Sequence, residues 1–342
     1  MDFRFTVGMP TAPRRRLPLL VTFAIGAVLA VLAVWPQVIG AQRWQIVALV
    51  ISFRAPLALG LGLLAVVAGI VALVRRRAAV ALGLAIALGA AALGNGGVLL
   101  ARGIGGSTGE GDLTVAVWNT YGGGAPPDAI ARLVRESGAD VVSLPETDAD
   151  AAAEVVGILR RDGIEMTAAT VQAAPGDRPV PTSLLVSDAL GRYVLDPAAG
   201  STPGAPSGVW RPVDGTGPTL IAAHPLPPLP LIVDEWSTGI DWVAQQCTGP
   251  DVILAGDLNS TLDHLAGLGR DGGVVGDCQD AAQQAGAAAR GTWPTSLPAA
   301  LAAPIDHVLV GSAWTVRGFE VRTDFDDAGS DHRPVVAVLA RR

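Results

Sequence analysis

Three long apolar stretches, Leu17–Gly40, Pro56–Val74 and Ala78–Ala101, dominate the first third of the chain, and none carries a charge in its interior. Each is long enough to cross a hydrocarbon core of about 30 Å. The pattern therefore predicts three transmembrane helices, at about 17–40, 56–74 and 78–101, behind a short tail of residues 1–16. The intervening run Trp44–Phe53 is also apolar and reads either as an interfacial helix or as an extension of the second span; Arg54 follows it, where a guanidinium reaches the interface. Arg14, Arg15 and Arg16 precede the first span, and Arg75, Arg76 and Arg77 separate the second from the third. Basic clusters stay in the cytoplasm, which puts the N-terminus inside and everything after the third span outside. The first stretch reads as an anchor rather than a cleaved signal, because no small-residue cleavage pattern follows it and two further spans do. Gly83, Ala85, Ala87, Gly89 and Ala91 in the third span permit close helix packing. A glycine-rich linker, 102–111, reads as a flexible tether.

From residue 112 the pattern changes. Short apolar, β-branched runs recur at Leu113–Trp118, Val141–Leu144, Ser183–Val186, Thr219–Ala223, Asp251–Ala255, His307–Val310 and Pro334–Leu339, and each predicts a strand. Between them, Asp128–Ser137 carries Ile130, Leu133 and Val134 at helical spacing and stops at Gly138; Asp148–Arg161 and Asp234–Gln246 read the same way. Strands alternating with helices give a layered α/β domain over residues 112–342, without internal repeats.

Composition splits along the same boundary. Half of the 342 residues are hydrophobic and the mean hydropathy is +0.43, too apolar for an ordinary soluble enzyme, and the excess lies in the first hundred residues. Residues 1–111 hold 10 Arg against 2 acids, a charge of +8; residues 112–342 hold 14 Arg against 29 acids, a charge of −15. All 24 basic residues are Arg, which reads as coding bias. The acidic domain disfavours a nucleic-acid substrate, since affinity for a polyanion comes largely from neutralising phosphates.

Chemistry-bearing side chains sit at the ends of these strands: Asn119, Glu146, His224, Asp257 and Asn259 follow strands, while Asp306 and Asp331-His332 precede them. Singly, each has a plain reading as a turn residue, a solvated acid or a surface histidine. Jointly, they converge if the strands share a sheet edge, where ligand sites of α/β folds commonly lie.

The segments that carry them are Val117-Trp-Asn119, Leu144-Pro-Glu146, Ala223-His224, Gly256-Asp-Leu-Asn259, Ile305-Asp-His-Val308 and Ser330-Asp-His332. In this order they resemble the endonuclease/exonuclease/phosphatase (DNase I-like) superfamily over nearly all of residues 112–342. The resemblance implies a four-layer α/β sandwich, two mixed β-sheets flanked by helices, and metal-dependent hydrolysis of phosphate esters. It implies Mg²⁺, or Mn²⁺ in its place, held by Glu146 with Asn119 and Asp331 assisting. It further implies that Asp257 orients or deprotonates the attacking water, that Asn259 positions that water, and that His224 and His332 donate to the developing phosphoryl charge while Asp306 holds His332. In some members the second histidine takes the base role instead. Pro145 and Leu258 stand where the family often has Gln and Phe, and Tyr121 where many members have Asp or His. His307, next to Asp306 in a strand, should face away and be structural, and His264 reads as a loop residue in preference to a substrate contact.

Three spans before an outward catalytic domain, with Gly291-Thr-Trp-Pro294 and Ser260-Thr-Leu-Asp-His264, also resemble actinobacterial membrane proteins of the teicoplanin/vancomycin-resistance type. That narrower resemblance implies membrane lipids as neighbours and a phosphorylated, lipid-linked envelope substrate. The competing readings are a tethered extracytoplasmic nuclease and a non-catalytic envelope-binding domain. The two cysteines, Cys247 and Cys278, read as a disulfide around the Asp257 loop in an oxidising compartment, or as two buried thiols.

Overall fold

The computed structural model describes residues 16–75, 78–173 and 180–342. The chain divides into two compact units, one of residues 1–36 and 57–95, the other of residues 37–56 and 96–342.

The first unit is helical: α1 (Arg16–Val34), then α3 (Arg54–Val74) and α4 (Ala78–Arg102), with α2 (Gln45–Ser52) lying in the second unit. Among the described residues, two helices, Arg54–Val74 and Val80–Arg102, are long and apolar enough to cross a membrane, by length and composition. The expected first span is shorter than the apolar run suggests. Its helix ends at Val34, because Pro36 and the left-handed Gly40 (φ 69°) turn the chain into 3-10 turns at Pro36–Ile39 and Ala41–Arg43. The helix has 19 residues. Small residues bring α1 and α4 together: a Cβ at Gly26 would lie 2.8 Å from the Ala87 Cβ, and Asn95 Nδ2 donates to Ala33 O at 3.3 Å. Residues 1–15, with Arg14 and Arg15, and Arg76 and Arg77 lie outside the described residues.

In the second unit the run Trp44–Phe53 forms its own helix, α2, which breaks from α3 at Phe53 (φ −109°, ψ 57°). The rest is a two-sheet sandwich. The first sheet contains β1 (Leu113–Val117), β2 (Val141–Pro145), β3 (Met166–Val171), β4 (Thr182–Ser187), β11 (Trp314–Val321) and β12 (Val335–Arg341), in the order β11-β12-β1-β2-β4-β3. The second contains β5 (Tyr193–Leu195), β6 (Gly208–Pro212), β7 (Thr219–Ala223), β8 (Val252–Asp257), β9 (Gln279–Asp280) and β10 (Asp306–Val310), in the order β5-β6-β7-β8-β10-β9. Both sheets are mixed: β1–β2 and β7–β8 run parallel, the remaining pairs antiparallel.

Side-chain alternation along each strand fills two cores. Val115 and Val117 of β1 face the second sheet and pack with Leu220, Leu254 and Val308, whereas Ala116 and Trp118 face α5 (Pro127–Ser137) and α6 (Ala149–Arg161). Helix α7 (Val233–Gln246) covers the second sheet with Trp236, Ile240 and Val243. Two single-turn helices, α8 (Leu262–Leu265) and α9 (Ala281–Gln284), fill the connections on either side of β9. Cys247, at the end of α7, is disulfide-bonded to Cys278 just before β9, with Cα atoms 5.7 Å apart.

The glycine-rich stretch after α4 does not behave as a free tether. Gly105 N donates to Gly286 O at 3.1 Å, and Ser107 pairs antiparallel with Phe319 on the outer side of β11. A Cβ at Gly111 would lie 2.4 Å from Leu339 O, so the glycines let this segment lie flat along β11 and β12 and cover the sheet edge.

Candidate active site

Strand pairing brings the candidate residues together. Parallel β1 and β2 continue through Trp118 N→Ser143 O (3.0 Å) and Thr120 N→Pro145 O (3.1 Å), so Asn119 and Glu146 leave the first sheet side by side. Parallel β7 and β8 pair Ala223 with Gly256, so His224 and Asp257 leave the second sheet side by side. A Cβ on Gly256 would lie 1.9 Å from Ala223 O, which makes glycine a steric requirement there. Antiparallel β8 and β10 pair Asp257 with Asp306, and Asp331-His332 arrive on the loop before β12. The set therefore comes from two sheets rather than from one shared edge.

All of these except Asp306 line one pocket of about 410 Å³. Asn119 Nδ2 donates to Glu146 Oε1 (3.1 Å) and to Asp257 Oδ2 (3.0 Å), bridging carboxylates that belong to different sheets. Asn119 Oδ1 accepts from Tyr121 N. Asn259 N donates to Asp257 Oδ1 (2.8 Å), and Asn259 Nδ2 is shared between Pro225 O and Asp257 Oδ2. His332 Nδ1 is bonded to Asp306 Oδ2 at 2.9 Å, which leaves Nε2 facing Asp257 Oδ2 at 3.7 Å. His224 Nε2 lies 3.7 Å from Glu146 Oε1 and 3.8 Å from Asp257 Oδ2. Trp293 Nε1 donates to Asp331 Oδ2 (2.9 Å). Three lining residues, Tyr121 (φ 55°), Glu146 (φ 59°) and Asn259 (φ 47°), hold left-handed backbone, a strain of the kind that accumulates where geometry serves function.

Burial and charge act against each other here. Burial pushes the His332 imidazolium down, but the carboxylates of Asp306 and Asp257 and the hydrogen bond to Asp306 outweigh it and hold the group up at about 9. His224 goes the other way: burial lowers its pKa more than the Asp257 carboxylate raises it. Burial also raises the Asp257 carboxyl, against the pull of His332. The pocket thus combines a histidine held toward its protonated form, a histidine pushed toward its neutral form and a buried carboxyl of raised basicity.

Its donors fit a hard divalent cation, which takes oxygen ligands. Glu146, Asp257 and Asp331 supply carboxylates, and Asp331 Oδ1 is buried without a hydrogen-bond partner among the described residues. Asp257, Asp306 and His332 each also offer an atom within 4.8 Å of the others. In that trio, however, His332 Nδ1 and Asp306 Oδ2 already bond to one another.

The remaining histidines are structural. His307 is buried, with Nδ1 2.7 Å from Asp280 Oδ2 and Nε2 2.8 Å from Ser260 O. His264 caps α8 rather than sitting in a loop: its Nδ1 accepts from Thr261 N at 2.9 Å, and Nε2 lies 3.1 Å from Ala48 O. Sequence reasoning missed Trp293, and it missed Leu49, Ser52 and Phe53, which line the pocket from a segment distant in the chain. Periodicity holds no signal for such a contact.

A profile described as the Endonuclease/Exonuclease/phosphatase family matches residues 116–332. Among solved structures, an endonuclease/exonuclease/phosphatase from Beutenbergia cavernae is similar at 21% identity and a TM-score of 0.51, over 68% of this chain and 72% of that one. The TDP2 of D. rerio complexed with single-strand DNA product is similar at 17% identity and a TM-score of 0.50, over 66% of this chain and 98% of that one. A truncated Caenorhabditis elegans TDP2 is similar at 15% identity and a TM-score of 0.50, over 67% and 97%. At these identities the likeness is one of fold. No curated protein matches the chain. With more than half its length matched by the family profile and the two-sheet fold to go with it, the chain belongs to the endonuclease/exonuclease/phosphatase family of metal-dependent phosphoesterases and nucleases.

Proposed function

We propose that the protein is a membrane-anchored phosphoesterase that hydrolyses the phosphate ester or pyrophosphate of a lipid-linked envelope substrate on the extracytoplasmic side. One observation carries this reading: the pocket lining is of two unlike kinds. Its lining joins a polar cluster, Glu146, Asp257, His224, Asp331 and His332, to apolar side chains, Leu226, Pro227 and Leu229. A phosphate with an apolar substituent matches both.

In the hydrolysis, a water attacks phosphorus, the phosphorus–oxygen bond to the leaving group breaks, and the water's proton passes to Asp257. A base of raised pKa suits that transfer. Asn259 and Asn119 hold the Asp257 carboxylate in orientation. His332, kept protonated by Asp306, and His224 stand where they can donate to phosphoryl oxygens as negative charge builds. Glu146, with Asp331 and Asn119 beside it, would hold Mg²⁺ or Mn²⁺, which when bound supplies positive charge to the phosphoryl group.

The membrane assignment rests on α3 and α4. In chain order Arg75–Arg77 separate α3 from α4, while residues 37–53 precede α3 and the catalytic residues follow α4. Arginines favour the cytoplasmic side, which leaves the catalytic unit outside. This agrees with the resemblance to membrane proteins of the teicoplanin/vancomycin-resistance type.

A second reading, a tethered nuclease, has one observation in its favour: the fold is shared with a TDP2 solved with a single-strand DNA product. The charge of −15 on residues 112–342 opposes it. Mg²⁺-dependent turnover of polyprenyl pyrophosphate, a sphingomyelin-like lipid and single-stranded DNA by the full-length protein discriminates the two. The lipid substrates should be turned over; hydrolysis of DNA alone would select the nuclease.

A further inference from the structure

The segment between α1 and α3 is not a simple connection. Residues 37–56 belong to the catalytic unit although they precede the family-matched region, 116–332, by some sixty residues of chain. Three groups on this segment and on α4 converge on one buried carboxylate. Arg54 donates to Asp263 through Nε (2.7 Å) and Nη2 (2.6 Å), Arg102 donates through Nη1 (2.7 Å) and Nη2 (2.8 Å), and Gln37 Nε2 donates at 3.0 Å. Further ties run from Arg43 Nε to His264 O (3.2 Å) and from Gln42 Nε2 to Ala266 O (3.2 Å). A buried, fully bonded ion cluster contributes little net stability but fixes one arrangement, because any other leaves a buried charge unpaired. The segment's position is therefore specified.

What that position delivers is a pocket wall. Ala48 and Ile51 of α2 are buried against the catalytic unit. Leu49, Ser52 and Phe53 line the pocket that holds Glu146, Asp257 and His332, and the Phe53 ring lies 5.8 Å from that of Trp293, itself bonded to Asp331. Ile46 and Val50 of the same helix are exposed and do not line the pocket.

We propose that the inter-helix segment is a specificity element of the active site: Leu49 and Phe53 form the wall that receives the apolar group of the phosphate-bearing substrate. The inference rests on the phosphoesterase reading above and goes beyond it, since it makes a piece of the membrane-anchor region part of the substrate site. An isolated domain cut at residue 112 would lack this wall.

The test uses the full-length protein in nanodiscs with Mg²⁺ and reads a ratio: kcat/KM for dodecyl phosphate over kcat/KM for methyl phosphate. Each wall side chain contacts a few methylenes, so Leu49→Ser and Phe53→Ser should each lower the ratio about tenfold, mainly through KM. Ile46→Ser, on the same helix but off the pocket, should keep the wild-type ratio. Equal losses on both substrates, an unchanged ratio, or the same fall in Ile46→Ser overturns the inference. Binding of dodecylphosphonate against methylphosphonate to the same proteins is read in parallel. If the wild type hydrolyses neither ester, the phosphoesterase reading fails, yet a chain-length preference in binding that Leu49→Ser and Phe53→Ser abolish still supports the wall. No such preference in the wild type overturns it.

Discussion

The imidazole of His332 is held by Asp306 through an Nδ1–Oδ2 contact of 2.9 Å between two buried side chains, and this bond leaves Nε2 as the nitrogen that faces Asp257. Asp306 does not line the pocket, so its effect passes through His332. Asp306→Asn should lower kcat about 100-fold, the range for losing one well-placed electrostatic contact, with KM nearly unchanged. Steady-state kinetics on a folded variant check it; a change in KM alone would mean that Asp306 serves binding.

The Cys247–Cys278 bridge closes a loop that contains Asp257 and Asn259, with a sequence separation of 31. In the chain-entropy model such a loop is worth about 3–4 kcal/mol. Reduction, or the Cys247→Ala/Cys278→Ala pair, should lower the melting temperature by roughly 6–15 °C for a domain of this size. Thermal melts with and without reductant check it, and alkylation of two free thiols in unfolded, unreduced protein would contradict it.

The central strands were legible in the sequence and the outer ones were not, for one physical reason. The strands β1, β2, β4, β7, β8, β10 and β12 are interior to their sheets and read as mainly apolar runs. The edge strands gave weaker signals: β3 and β11 mix polar and apolar residues, β11 is interrupted by a bulge between Val316 and Gly318, and β5 and β9 span only Tyr193–Leu195 and Gln279–Asp280. The interior strand β6, ending in Arg211-Pro212, also escaped notice. The same reason made much of the site visible, because its residues sit at the ends of interior strands. Leu49 and Phe53 stayed hidden: an apolar residue beside a membrane helix reads as membrane until a contact such as that of Phe53 with Trp293 is seen.

Acid should weaken the seat of α2 on the catalytic unit. Burial, helped by the guanidiniums of Arg102 and Arg43, outweighs the Asp263 carboxylate and holds His264 down at about 4 from its ordinary 6.5. The unfolded chain therefore binds more protons between about 6.5 and 4, and stability falls as pH drops through that window, by on the order of 3 kcal/mol for this group. Burial alone would raise Asp263, but the Arg54 and Arg102 guanidiniums override it and hold its carboxyl well below the usual range, so its loss begins only below about 3.8. His264→Asn, which retains an acceptor for Thr261 N, should flatten the decline between pH 6.5 and 4 in melting curves. An equally steep decline would assign it to other groups.

The proposed topology is tested at Thr108, which is exposed beside the Ser107–Phe319 pair. A Thr108→Cys variant should react with a membrane-impermeant maleimide in intact cells. Labelling only after lysis would reverse the orientation.

The central claim is that these residues form a metal-dependent phosphoesterase site, and phosphate release by the purified full-length protein tests it most directly. With Mg²⁺ or Mn²⁺ present, the wild type should release phosphate from a lipid-linked phosphate, and a chelator should abolish that release. Glu146→Ala and His332→Ala should each lose about 100-fold or more while melting like the wild type. Turnover that survives the chelator, or near-wild-type rates in either folded variant, would contradict the account.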